Sequence, residues 1–106
     1  MIDLDTGQLK IVQQILQQYV PKYEVRVFGS RVTGTCSRFS DLDLALVGPE
    51  NVEWPLLEAV KDAFSESDLA IMVDVLDWLA ISGSFRHEIG DRYEVVQVAK
   101  ENKHLI

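Results

Sequence analysis

Val27-Phe28-Gly29-Ser30, ten further residues and then Asp41-Leu42-Asp43-Leu44-Ala45-Leu46-Val47 form the stretch that decides the fold. Ahead of the glycine, Val25 and Val27 alternate with Glu24 and Arg26, which predicts a short strand feeding a tight turn. From Asp41 the alternation is strict, and a second strand is predicted up to Gly48-Pro49. Side chains two apart on a strand share a face. Asp41 and Asp43 therefore project together, while Leu42, Leu44 and Leu46 project to the opposite side.

On the N-terminal side, Asp5 and Gln8 have capping-box spacing, and Leu9, Val12, Ile15, Leu16 and Tyr19 recur at helical intervals until Pro21. On the other side, Pro55 suits the first turn of a helix carrying Leu56, Leu57, Val60 and Phe64. Leu69 to Leu76 is an apolar run broken by Asp74 and predicts a buried strand. Ser82 to Ile89 predicts a short helix ended by Gly90, and Tyr93 to Val98 a last strand. The order is helix, strand, strand, helix, strand, short helix, strand, an α/β (α+β) arrangement with a small mixed sheet and flanking helices. No repeat or linker interrupts it, so residues 1–106 are expected to form one domain: an N-terminal helix in 1–22, a core in 24–98 and a tail in 100–106.

Composition narrows the function. Ten Lys and Arg against 17 Asp and Glu leave a net charge of −7, which repels polyanions and argues against a direct nucleic-acid partner. Cys36 is the single cysteine, so neither an internal disulfide nor a multi-cysteine zinc site can form; it reads as a small loop residue. With no leader-like apolar segment and no run near ~20 apolar residues, the expectation is a cytoplasmic protein away from membranes.

Two carboxylates on one patch raise each other's pKa, and a divalent cation relieves the repulsion. An all-oxygen set favours Mg²⁺ or Mn²⁺. The plainer alternative is a pair of solvated acids on an open strand face. Gly29-Ser30 adds a turn where backbone can approach a phosphate and a hydroxyl can donate to it, although an ordinary strand-ending turn has the same residues. Asp74, expected to be buried, needs either an arginine or a metal as partner. Other chemistries fit less well: Thr35 and Cys36 stand where a P-loop needs Lys and Ser or Thr, and Ser30 lacks a nucleophile-elbow setting. His87 and His104 lack metal-ligand spacing and read as solvated, and Phe85-Arg86 as a packing residue beside a cation.

Taken together, Val27-Phe28-Gly29-Ser30-Arg31, Gly34, Ser40-Asp41-Leu42-Asp43-Leu44, Asp74 and, more loosely, Phe85 to Tyr93 resemble the polymerase-β-like nucleotidyltransferases, and within them the minimal nucleotidyltransferases (MNT). The resemblance implies that fold. It also implies that Asp41 and Asp43 bind catalytic metal, that Asp74 is a third carboxylate for metal or acceptor, and that Gly29, Ser30 and Arg31 hold a nucleoside triphosphate. The chain departs from the pattern at Val32-Thr33, where close relatives often have Ala-Arg, so the loop has one positive charge fewer. The implied activity is Mg²⁺-dependent transfer of AMP from ATP to a hydroxyl, with a tyrosine of a HEPN-type toxin as acceptor, by the antitoxin of a type VII pair. Two alternatives stand beside it: a non-catalytic antitoxin acting by occlusion, and transfer to a small molecule or RNA. So short a chain also implies that a partner or a second copy completes the site, as a homo- or hetero-oligomer.

Overall fold

Four strands and four helices follow one another along the chain of this computed structural model, which describes residues 2–35 and 40–100. Cys36, the tail beyond Lys100 and His104 within it lie outside the described residues. Helix α1 (Thr6–Tyr19) starts on the expected capping box: the Asp5 carboxylate accepts from the Gln8 amide at 2.7 Å, and the Gln8 side chain accepts from the Asp5 amide at 3.1 Å. It ends two residues before Pro21.

Strand β1 (Glu24–Phe28) leads through Gly29 into helix α2 (Ser30–Thr33), a single turn that the polar composition of the segment did not announce. Its boundaries are set by Gly29 and Gly34, with φ of +79° and +82°. Strand β2 (Leu42–Val47), helix α3 (Trp54–Ser65), strand β3 (Val73–Asp77), helix α4 (Gly83–Ile89) and strand β4 (Glu94–Gln97) complete the chain.

The sheet order is β3-β2-β1-β4, with β1 antiparallel to β2 and β4, and β2 parallel to β3 through the α3 crossover. This is the mixed sheet expected. Alternation along β2 works as the spacing predicts: Leu42, Leu44 and Leu46 are fully buried in one cluster with Val12 and Leu16 of α1 and Val60 and Phe64 of α3. Each such leucine contributes roughly 2 kcal/mol by leaving water. The other face is covered only in part, by a smaller cluster of Phe28, Ala45 and Ile89.

β3 differs from expectation. It begins at Val73 rather than Leu69, and it is an edge strand, not an interior one. Val73, Val75 and Asp77 turn toward the main core and Leu76 packs against the smaller cluster, whereas Met72 and Asp74 are exposed. No helix among the described residues is long and apolar enough to cross a membrane.

Candidate active site

Asp43 stands on the partly covered face, in the last pair of the β1–β2 ladder. The β1–β2 register sets it opposite Phe28, and the β2–β3 register sets it opposite Asp74. Its carboxylate lies so close to Gly29 that a Cβ at position 29 would collide with Oδ2. Gly29 is thus required twice, by its positive φ and by this close approach. Asp41 is exposed immediately before β2, and Asp74 is exposed on β3. The sequence expectation of a buried Asp74 in need of a partner is therefore corrected: on an edge strand its side chain reaches water, so no desolvation penalty has to be offset.

The charges still act on one another. Burial pushes the Asp43 carboxyl above its ordinary pKa, and the negative charges of Asp74 and then Asp41 push it further. Among the described residues no hydrogen-bond donor reaches Asp43 to offset this. Nor do any three His, Cys, Asp or Glu side chains among the described residues close into a metal cage, so the three aspartates do not form a ready-made trident. Like charges with no counter-ion have no reason to converge. The donor set is nonetheless what Mg²⁺ accepts, since that ion takes one or two carboxylates and completes its shell with water and substrate phosphate oxygens.

Arg31 is a second correction. Expected beside the phosphates, it is buried, at 4% exposure. Its Nε and Nη2 donate to the Ser40 carbonyl at 3.1 and 2.9 Å, and Nη1 donates to the Asp3 carbonyl at 2.8 Å. A guanidinium so engaged is inaccessible to a ligand. What it does is grip the residue preceding Asp41 and tie it to the N-terminal segment, which positions the first carboxylate from behind.

Gly29 and Ser30 open onto a cleft of about 310 Å³ between α2 and α4. Phe85 stands against Phe28 edge-to-face, with centroids 6.0 Å apart, in the packing role expected of it. His87 is exposed, as expected. Sequence reasoning missed two residues. Arg92 lies on the cleft wall, two positions beyond the glycine that ends α4, where helical spacing carries no signal. Arg26 stacks on the rings of Tyr93 and Trp78, its guanidinium carbon 4.3 and 5.0 Å from their centroids, a contact between separate elements that no local pattern encodes.

A family model described as nucleotidyltransferase domain matches residues 9–104. The chain belongs to that family. This nucleotidyltransferase is 47% identical over 96 residues to a Haemophilus influenzae protein named probable protein adenylyltransferase MntA, an alignment covering 91% of this chain and 84% of the relative. Among solved structures, a toxin–antitoxin complex with AMP-PNP matches with a TM-score of 0.62 at 22% identity, covering 83% of this chain and 71% of that one. A Shewanella oneidensis complex of a tri-AMPylated HEPN toxin with its MNT antitoxin matches with a TM-score of 0.58 at 16% identity, covering 88% and 71%. These two likenesses carry the fold, which is the nucleotidyltransferase fold the resemblance implied.

Proposed function

We propose that this nucleotidyltransferase is the antitoxin of a HEPN-type toxin and neutralises it by moving AMP from ATP onto a tyrosine hydroxyl of that toxin. The observation that carries the reading is the half-buried Asp43 carboxylate set against a glycine that nothing larger can replace, with Asp74 facing it across the ladder. A position kept both acidic and uncompensated is suited to holding a cation and the anionic group that comes with it. The name of the Haemophilus influenzae relative supports the protein acceptor.

In this reading Asp41 and Asp43 hold Mg²⁺, with Mn²⁺ able to substitute, and Asp74 serves the acceptor side. When bound there, the ion would supply charge neutralisation at the α-phosphate and would lower the pKa of the acceptor hydroxyl. Ser30 donates its hydroxyl to the phosphates. The tyrosine oxygen attacks the α-phosphorus, the bond from phosphorus to the oxygen bridging the α- and β-phosphates breaks, pyrophosphate leaves, and the phenolic proton passes to the Asp74 carboxylate. Residues 1–106 act as one domain in the cytoplasm, and the toxin completes the acceptor side.

The test is transfer of label from α-labelled ATP to the co-purified toxin. Wild type labels it and Asp43→Asn does not; equal labelling by both would refute the assignment. Occlusion is the second reading, favoured by the burial of Arg31 away from the cleft. It predicts full protection from the toxin by the Asp41→Asn/Asp43→Asn double variant.

A further inference from the structure

We propose that Arg92 is the cation that binds the phosphate tail of the nucleotide, in the cleft it shares with Gly29, Ser30 and Thr33. The inference rests on the nucleotidyl-transfer reading above and gives that site a residue which the sequence pattern assigned elsewhere.

A triphosphate carries several negative charges, and this chain meets it with a net charge of −7 and with Asp41, Asp43 and Asp74 beside the Gly29 turn. Binding there needs a positive side chain within reach. Arg31 does not serve, because its guanidinium is buried against the Asp3 and Ser40 carbonyls. The cleft that opens from Gly29 and Ser30 measures about 310 Å³, at the lower end of the ~300–1,000 Å³ of small-molecule sites. Among the described residues Arg92 is the one cation on its wall.

Arg92 is also held in place. Gly90, at φ +55°, ends α4 and turns the chain, and the Arg92 amide donates to the Ile89 carbonyl at 3.0 Å. Its Nη2 donates to the Glu88 carbonyl at 2.7 Å. One N–H of the guanidinium fork is so engaged, which fixes the fork and leaves its remaining donors for a ligand. The side chain is exposed, so it contributes little to the fold. Phosphate oxygens lying between the Ser30 hydroxyl and Arg92 would sit beside Asp43, the carboxylate that would hold a divalent cation accompanying the nucleotide. Glu88 lines the same cleft and opposes an anion there. The two neighbours therefore make predictions of opposite sign.

The experiment is calorimetric titration of the full chain with Mg·ATP and with adenosine, alongside the KM for ATP in toxin labelling. Arg92→Ala is expected to weaken Mg·ATP binding about 10- to 100-fold, the usual range for one hydrogen bond to a charged group. Arg92→Lys should recover part of this, Glu88→Gln should tighten binding, and the remote Lys61→Ala should match wild type. The melting temperature of Arg92→Ala should stay at the wild-type value, separating ligand binding from folding. Unchanged Mg·ATP affinity in Arg92→Ala, or an equal loss for adenosine, would overturn the phosphate assignment while leaving nucleotidyl transfer standing. A wild-type chain that neither binds Mg·ATP nor labels the toxin would overturn the reading beneath it as well.

Discussion

The β2–β3 ladder carries an aspartate face at each end, and the two ends are built on opposite principles. At one end Asp77, paired in register with Leu46, is buried, and its carboxylate accepts from the Asn51 side chain and the Val52 amide, both at 2.9 Å, and from the Leu79 amide at 3.1 Å. At the other end Asp43, paired with Asp74, is half-buried, receives no hydrogen bond among the described residues and has its pKa raised. Neighbouring donors make the first carboxylate a structural clip for two loops. Without them the second remains available to a cation. Local supply of N–H groups divides the satisfied carboxylate from the unsatisfied one on these two strands.

The sharpest way to break this comparison is Asp43→Asn, which should lower toxin labelling about 10³-fold, by analogy with the loss of one transition-state charge stabiliser, while leaving the fold intact. If transfer survives, the Asp43 end is not the working end. Next comes Asp77→Ala, which strands the Val52 and Leu79 amides and should cost about 3 kcal/mol of stability. Urea unfolding would measure it, and a loss below about 1 kcal/mol would mean that the loops find other acceptors.

Smaller, and falling between the two regions, is Gly29→Ala. Its Cβ must enter the space of the Asp43 carboxylate at a φ of +79°, which should cost about 2 kcal/mol and reduce transfer together with stability. The smallest effect is a slope with pH. Because the folded state raises the Asp43 pKa, the native protein binds the proton more tightly than the unfolded chain does, and stability falls as pH rises from the ordinary carboxyl value of 3.8 through the raised one. Asp43→Asn should flatten that slope and raise the melting temperature at neutral pH. Unfolding curves of Asp43→Asn and wild type across pH measure that contribution directly.

Residues near in sequence were read well. The Asp5–Gln8 box, the stop before Pro21, the alternation through Leu42–Val47 and the end of α4 at Gly90 are all where spacing placed them, because each depends on groups within a few residues. The misreadings share one cause. Asp74 was expected to be buried because its neighbours are apolar, but burial of a strand depends on its place in the sheet, and β3 turned out to be an edge. Arg31 follows Gly29-Ser30 directly, yet its partners lie 28 and 9 residues away. Of the donors to Asp77, Leu79 is two residues away but Asn51 and Val52 are 26 and 25 away, so its grip on the loop before α3 carries no local signal.

By itself, then, the sequence determined every element but the single turn of α2 and the start of β3, the face on which Asp43 stands, the glycine beside it and the family to which they point. Periodicity and turn chemistry are local properties, and they survive reading one residue at a time. Only the tertiary structure decided which cation is locked away and which faces the cleft, and which aspartate is clipped into the fold and which is left exposed or half-buried beside Gly29. Those outcomes depend on donors and acceptors brought together from distant segments, and a polar side chain takes its role from the partner it meets there.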